Sequence, residues 1–261
     1  MTNPADALIA MRHAAPLVQC ITNYVAMNFA ANALLAAGAA PAMVSDPEES
    51  GEFAAIAGAL TVNIGTLGPR WVDGMVAAAG SAKANGKPWV LDPVACFATR
   101  LRREATATLM GLRPDVVRGN ASEILAVAGL SSAGKGVDAG DSVAAAEAAA
   151  RDLAARSGAV VAVTGAVDFV TDGARSVRIA GGSPLMPRVT ATGCALTCLI
   201  GAYAAAVSDR FDATVAALAH FAAAGDMAAA SPGPGSFMPA FLDALSAVPP
   251  EALGNGRVQP A

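Results

Sequence analysis

The sequence predicts an α/β fold of three layers, in which a mostly parallel central sheet is covered by helices on both faces. Short apolar runs rich in β-branched residues alternate with longer alanine-rich segments along the chain. Such alternation is typical of parallel strands joined by right-handed helical crossovers. The chain has 261 residues, 54% of them hydrophobic, which is enough for a single domain with a substantial core. We therefore expect one domain over residues 1–248.

Six apolar runs are predicted to be the parallel strands, and alanine-rich segments between them to be helices. The predicted strands are 17–21, 42–44, 60–64, 89–91, 116–118 and 159–163. The predicted helices include 26–37, 71–84, 121–128 and 142–155.

The last third of the chain departs from this alternation. After Asp168, the runs 169–171 and 177–179 are separated by a turn containing Gly173, which predicts an antiparallel hairpin at the sheet edge. Two long helices, 194–207 and 212–229, follow it. The tail, 249–261, is rich in Pro and Gly and is expected to fray.

Composition limits the partners that this chain can have. Charged residues make up 15% of it, the net charge is −4, and the 17 Lys and Arg residues are scattered apart from a cluster at 100–103. No basic stripe is available for a nucleic-acid backbone, so nucleic acid is not an expected partner. The low charge fits either apolar surface buried between subunits or a compositional bias toward Ala, Gly and Val.

The cysteines and apolar segments indicate a cytoplasmic protein without a membrane anchor. Four cysteines are too few for the framework of a small secreted domain, and with only two histidines they form no zinc pattern. The first six residues lack the basic start of a secretory signal. The apolar stretches 25–44 and 189–208 are interrupted or too short to span a bilayer. Both histidines, His13 and His220, are expected to be structural.

Ligands of open α/β sheets bind beyond the carboxyl ends of the strands. The informative positions are therefore those that follow each predicted strand. They are Asn23, Ser45, 63–65, Asp92, 119–120 and 164–165.

A Thr-Gly-Cys sequence at 192–194 stands directly before an uninterrupted apolar helix. The unpaired N–H groups and the positive end of that helix would face an anion held in the loop. An ordinary helix start, with Thr192 as the N-cap, is the alternative.

A second motif, Arg-Gly-Asn-Ala-Ser-Glu at 118–123, lies where a predicted strand ends and a helix begins. Asn120 and Glu123 share one helix face, and amide and carboxylate oxygens suit Mg²⁺. The alternative is a capping box in which the two side chains close on each other's backbone. Asp92 supplies a second carboxylate at the same edge, or else is only a turn residue before Pro93.

These motifs belong to a longer series. Eight short strings occur in the order found in hydroxyethylthiazole kinases. They are QCITNYV (19–25), PAMVS (41–45), NIGTL (63–67), LDPV (91–94), RGNASEI (118–124), VTG (163–165), TGC (192–194) and GPGSF (233–237). The chain therefore resembles this family over about residues 10–245. The family has the ribokinase-like three-layer fold.

The resemblance implies a function and a set of site residues. It implies transfer of the γ-phosphoryl group of ATP to the hydroxyl of 4-methyl-5-(2-hydroxyethyl)thiazole in thiamine salvage, with Mg²⁺, by a homotrimer whose active sites lie between subunits. By motif match, the resemblance implies nucleotide contacts from Arg118, Asn120, Thr164 and Gly165, and magnesium ligands from Asp92 and Glu123. It implies a thiazole pocket lined by Asn23, Val25, Met43, Gly193 and Ala195. The implied catalytic groups are Gly193 and Cys194.

Two positions differ from related sequences. The loop at 95–99 contains no glycine, although the family loop is usually glycine-rich and so has more backbone freedom. Most ribokinase-like enzymes carry Asp at the position of Cys194, whereas thiazole kinases usually carry cysteine there.

Three other functions are compatible with the fold. They are a kinase of another small alcohol such as hydroxymethylpyrimidine, a nucleotide-dependent dehydratase, and a non-catalytic nucleotide-binding regulator. Cys194 and the segment around Asn23 argue against the dehydratase. Asp92, Glu123 and Gly193 argue against the regulator.

The role of Cys194 is left open between two hypotheses. At a helix N-terminus the dipole favours a thiolate, which would act as general base for the acceptor alcohol. Alternatively, Cys194 is a small residue that leaves the anion hole clear, and we favour this role because phosphoryl transfer needs little help from a base.

Overall fold

The computed structural model describes residues 2–130, 142–254 and 256–261, and in them nine strands form one sheet. The strands are β1 (Leu17–Ile21), β2 (Ala40–Ala42), β3 (Ala59–Asn63), β4 (Trp89–Asp92), β5 (Val116–Asn120), β6 (Val160–Thr164), β7 (Val167–Thr171), β8 (Ser176–Ala180) and β9 (Val258–Pro260). Their order across the sheet is β2-β1-β3-β4-β5-β6-β7-β8-β9. The first six pair in parallel and the last three are antiparallel, which confirms the predicted sheet.

Helices cover both faces of this sheet, as predicted. They are α1 (Pro4–Ala14), α2 (Met27–Ala37), α3 (Ser50–Ile56), α4 (Pro69–Ala84), α5 (Arg100–Gly111), α6 (Ala121–Val127), α7 (Val143–Ser157), α8 (Thr192–Ala206), α9 (Arg210–Ala228) and α10 (Pro234–Ala247). Helices α1, α2, α8, α9 and α10 pack on one face, and α3 to α7 on the other. Within the described residues, no helix is long and apolar enough to cross a bilayer.

The strands are apolar on both faces because helices cover both. Successive residues of one strand belong to different cores: Val90 packs under α8, whereas its neighbour Leu91 packs under α4. Continuous apolar runs are typical of buried parallel strands, and five of the six predicted strands agree with the structure to within about two residues. The sixth, predicted at 42–44, lies earlier as β2 (Ala40–Ala42), whose residues are only half-buried.

Strand register brings polar residues together at one edge of the sheet. In the parallel ladders, Asn63 pairs with Asp92, and Asn120 pairs with Thr164. All four are the last residues of their strands, so their side chains lie at the carboxyl edge.

The end of the chain differs from the expectation of a fraying tail. Residues Pro250–Leu253 form a 3-10 helix, and Val258–Pro260 add strand β9 to the exposed edge of β8. Leu253 is fully buried in the core on which α1 and α9 pack. An edge strand accommodates Pro260 because an edge position needs no N–H donor.

His220 lies in the core and does not contact the site. Its Nε2 donates to the Leu245 carbonyl at 2.9 Å, so Nδ1 accepts from the Tyr203 hydroxyl at 3.0 Å. Burial lowers the pKa of His220 to about 4, which keeps the imidazole neutral. Its contacts support the predicted structural role.

Candidate active site

Asp92 is the most buried charged group of the carboxyl edge, with 1% of its surface exposed. Its Oδ2 accepts from Asn63 Nδ2 at 2.7 Å and from Thr197 Oγ1 at 2.9 Å, and it lies 3.5 Å from Arg118 Nη1. Burial raises the pKa of Asp92, although the Arg118 charge and these hydrogen bonds act in the opposite direction. Asp92 Oδ1 is buried and, among the residues that the structure describes, has no hydrogen-bond partner.

The Arg118 guanidinium lies between the carboxyl edge and the start of α8. Its Nη2 donates to Thr164 Oγ1 at 2.6 Å, and the Thr164 hydroxyl donates in turn to the Gly119 carbonyl at 3.3 Å. On the other side, a Cβ built on Gly193 would lie 2.7 Å from Nη1 and 2.8 Å from Nη2. Gly193 therefore lets a positive charge approach the helix N-terminus closely.

Glu123 forms the capping box that was considered as an alternative to a metal ligand. Asn120 Oδ1 accepts from the Glu123 N–H at 2.9 Å, and Glu123 Oε2 accepts from the Asn120 N–H at 2.8 Å. The other carboxylate oxygen, Oε1, accepts from the Ala95 N–H at 2.9 Å. Burial and the charge of Asp92 raise the pKa of Glu123 to about 7. Glu123 thus closes the capping box at the start of α6 and also holds the loop that follows β4.

That loop keeps a glycine-like conformation without a glycine. Ala95 has φ of 49°, in the left-handed region where residues other than glycine are strained. The Ala95 N–H bond to Glu123 stabilises the conformation. Arg102 adds a second restraint, because its guanidinium donates to the carbonyls of Val94, Ile64 and Gly65 at 2.7–2.9 Å.

Helix α8 begins two residues earlier than predicted, with Ala191 as its N-cap at φ of 67°. Thr192 is not the cap, because its hydroxyl donates backwards to the Val189 carbonyl at 2.7 Å. The first-turn N–H groups, which include those of Thr192, Gly193 and Cys194, have no acceptor one turn earlier in the helix. These donors are available to an anion that approaches the start of α8.

Cys194 is held by two amides. Its Sγ lies 3.3 Å from Asn23 Nδ2 and 3.3 Å from Asn63 Nδ2. Burial and the charge of Asp92 raise the pKa of Cys194 to about 11. Desolvation and the nearby carboxylate therefore act against the thiolate form that the helix dipole favours.

Apart from Gly193, the predicted thiazole-pocket residues differ in how far they are exposed to solvent. Asn23 is buried in the amide network, and Met43 is half-buried against the core. Val25 is 65% exposed. The methyl group of Ala195 is fully buried in the core and its N–H donates to the Ala191 carbonyl, so its position does not support the predicted substrate contact.

Among the predicted nucleotide contacts, Gly165 and Thr164 lie at the end of β6 beside Arg118. The Gly165 N–H donates to Asp168 Oδ1 at 2.9 Å, and Gly165 is exposed. Asn120 uses its amide oxygen for capping.

Sequence reasoning missed the roles of Asn63, Thr197 and Arg102. Asn63 was noted only as a strand-end position, although strand pairing places it directly beside Asp92. Thr197 lies one turn after Gly193, and that spacing could have indicated it. Arg102 belongs to a basic cluster, and nothing in the sequence indicates that its guanidinium donates to carbonyls of the loops after β3 and β4.

Several known proteins are similar to this chain. The model of the hydroxyethylthiazole kinase family matches residues 8–251. The chain is 66% identical over 250 residues to a hydroxyethylthiazole kinase of Cereibacter sphaeroides, covering 95% of each, and 65% identical over 254 residues to one of Rhizobium johnstonii, covering 97% of this chain and 95% of the relative.

Two solved structures also resemble this chain. A hydroxyethylthiazole kinase from Pyrococcus horikoshii superimposes with a TM-score of 0.90 at 36% identity, with 100% of both chains covered. A pyridoxal kinase from Staphylococcus aureus in complex with AMP-PCP and pyridoxal superimposes with a TM-score of 0.61 at 17% identity, over 81% of this chain and 88% of that one, which shows the fold alone.

Proposed function

We propose that this chain, which belongs to the hydroxyethylthiazole kinase family, transfers the γ-phosphoryl group of ATP to the hydroxyl of 4-methyl-5-(2-hydroxyethyl)thiazole, a step of thiamine salvage. It is an enzyme of the phosphotransferase class with the ribokinase-like fold. The observation that carries the proposal is the start of α8, where Arg118 lies against Gly193 and beside Asp92. Such an arrangement can hold a phosphoryl group while its charge redistributes.

The chain's own residues act mainly by positioning. Arg118 and the first-turn N–H groups of α8 stabilise negative charge on the transferred group, because both present positive charge at one place. Thr164 orients the Arg118 guanidinium through the 2.6 Å bond to Nη2. We assign Gly165 and Asn120, which lie at the ends of β6 and β5, to the nucleotide phosphates.

The free oxygen of Asp92 supports a magnesium site at this edge. Asp92 Oδ1 is a buried oxygen without a partner among the described residues, and such an oxygen costs free energy unless a cation or donor satisfies it. Asp92 and Glu123 would hold Mg²⁺, whose few protein ligands leave room for phosphate oxygens and water. Bound magnesium would neutralise charge on the phosphates.

The substrate is tested by product mass. The purified chain is incubated with ATP and magnesium and, in separate tubes, with hydroxyethylthiazole, hydroxymethylpyrimidine or hydrated NADH. We expect only the thiazole to gain a phosphate. Phosphorylation of the pyrimidine with equal or better efficiency, or dehydration of the NADH hydrate, would overturn the assignment.

Replacing Cys194 by serine is expected to lower kcat less than about tenfold. General-base catalysis contributes about 10²- to 10⁴-fold, whereas a thiol that is protonated at neutral pH can act only by its size and contacts. A serine hydroxyl can accept from the same two amides. Aspartate at this position is expected to be tolerated.

The outcome is measured as kcat together with nucleotide affinity. A serine variant slowed more than about a thousandfold, with unchanged nucleotide binding, would show that the thiolate is chemically required.

We propose a homotrimer whose active sites lie between subunits. Tyr24 and Val25, directly after Asn23, are 66% and 65% exposed, and large apolar side chains beside a site indicate a surface that a partner covers. Light scattering at micromolar concentration is expected to give the trimer mass. An active monomer would contradict it.

We propose that the enzyme works in the cytoplasm. Its four cysteines are all free, and three of them are buried. Free thiols persist in reducing compartments. Cell fractionation is expected to recover the kinase activity with cytoplasmic markers, and enrichment with periplasmic markers would contradict this.

A further inference from the structure

The side-chain amide of Asn63 makes four hydrogen bonds in the middle of the site. Its Oδ1 accepts from the Gly65 N–H at 2.9 Å and from Asn23 Nδ2 at 3.0 Å. Its Nδ2 donates to Asp92 Oδ2 at 2.7 Å and to Cys194 Sγ at 3.3 Å. A backbone N–H can only donate, so the Gly65 bond fixes which end of the amide is oxygen. Asn63 is 2% exposed and uses its amide fully.

A second amide, that of Asn23, completes the arrangement. Its Oδ1 accepts from the Ala26 N–H at 3.0 Å, which fixes its orientation in the same way. Its Nδ2 then donates to Cys194 Sγ. Two amide donors therefore face one sulfur, so the thiol hydrogen of Cys194 must point away from both asparagines.

Asn63 and Thr197 together determine which oxygen of Asp92 remains free. Oδ2 is occupied by Asn63 and by Thr197, whereas Oδ1 has no partner within the described part of the chain. Without the Asn63 donor, Oδ2 would keep only the Thr197 hydrogen bond and the Arg118 charge, and the terminal torsion of Asp92 is broad. The direction of the free oxygen would then be less restrained.

We propose that Asn63 is a positioning residue for phosphoryl transfer, which links the free oxygen of Asp92 to the orientation of the Cys194 thiol. This inference rests on the proposed function, because Asp92 is there assigned to the metal, and the Cys194 thiol reports on the same amide. A purely structural amide would only tie the ends of β1 and β3, and would affect neither metal binding nor the thiol.

The test uses Asn63→Leu, which keeps a similar shape but removes the amide, with Asn63→Ser as the second variant if the first does not fold. Thr61→Val is the matched control, since Thr61 is buried on the same strand and on the same face, two residues before Asn63. Three quantities are measured: kcat and KM for the thiazole, Mn²⁺ affinity in the presence of a non-hydrolysable ATP analogue, and the rate at which iodoacetamide alkylates Cys194.

We expect kcat to fall at least about 100-fold with little change in the thiazole KM, and Mn²⁺ affinity to fall about tenfold, because small displacements of site groups cost this much. The alkylation rate at Cys194 is expected to change at least about fivefold, since one of its two amide contacts is lost. Tandem mass spectrometry localises the alkylation to Cys194, which separates it from Cys198 four residues later and from the other two buried cysteines. Thr61→Val is expected to behave as the unmodified chain.

Three results would overturn the inference. They are near-normal kcat in a folded variant, a loss of kcat with unchanged Mn²⁺ affinity and alkylation, and an equal loss in Thr61→Val. If the unmodified chain fails to phosphorylate the thiazole, the proposed function fails instead. The Mn²⁺ and alkylation measurements need no acceptor, so they still decide the role of Asn63.

Discussion

Replacing Gly193 by alanine is expected to lower kcat/KM at least about 100-fold while the fold remains intact, because removal of one well-placed electrostatic contact typically costs about 10²- to 10³-fold. The new Cβ would lie 2.7–2.8 Å from both terminal nitrogens of Arg118, closer than real contacts allow. The guanidinium is the end of a flexible side chain, so it would be displaced and its present geometry with Asp92 and Thr164 would be disturbed. The phosphoryl group would then lose a positive charge at the start of α8.

The thermal stability of Gly193→Ala is not expected to fall with its activity. Gly193 lies inside α8, outside the left-handed region, and alanine in a helix is favoured over glycine by up to about 1 kcal/mol. The melting temperature should therefore stay constant or rise slightly. Gly80→Ala in α4 is the matched control, because nothing lies within 4 Å of its Cβ. Kinetics of Gly193→Ala equal to those of the control would show that Arg118 is not needed at that place.

The sequence predicted which polar residues lie at the carboxyl edge of the sheet. Strand ends could be located from apolar runs, and parallel strands place their carboxyl ends together whatever the family. Asp92, Arg118 and Thr164 were therefore expected to converge, and strand pairing brings them together with Asn63. The resemblance to thiazole kinases added the substrate, which no residue pattern alone contains.

The restraints behind the site could not be predicted in this way. Arg102 is separated in sequence from Ile64 and Gly65, and only the packing of α5 shows that it binds their carbonyls. Ala95 and Ala191 adopt left-handed conformations that local propensity assigns to glycine. Tertiary hydrogen bonds can stabilise such conformations. The Ala95 N–H bond to Glu123 is an example.

The end of the chain illustrates the same difference between local and tertiary signals. Pro and Gly over 249–261 indicate weak local structure, which is what the sequence predicted. The edge of β8 nevertheless offers unpaired backbone groups, and β9 pairs with them. Short strands at a sheet edge depend on the neighbouring strand, so their own composition predicts them poorly.

Replacing Glu123 by glutamine is expected to lower kcat/KM about 100-fold at physiological magnesium, because loss of a group that orients a metal site costs about 10- to 100-fold in affinity or activity. The substitution removes a charge from the proposed magnesium site. It also removes one backbone contact, since an amide has one oxygen whereas the carboxylate accepts from both Asn120 and Ala95. The loop after Asp92 would therefore also lose its support.

The fold of this variant is expected to persist, with a melting temperature within a few degrees of the unmodified chain. An N–H left without its acceptor costs about 1–3 kcal/mol. Burial of the ionised carboxylate is itself unfavourable, which is why the pKa of Glu123 is raised to about 7, and the neutral amide avoids that cost. The two effects offset each other. Circular dichroism and thermal unfolding check the fold, and kinetics over a magnesium titration check the activity.

Glu147→Gln is the matched control, because Glu147 is also a buried glutamate that accepts two hydrogen bonds, but both come from Arg178 on strand β8. It should lose stability, because a charge-assisted pair is broken, and keep its kinetics. If Glu123→Gln instead turns over near-normally at low magnesium, Glu123 serves only as the cap of α6 and the support of the loop, and Asp92 alone remains as the carboxylate for magnesium.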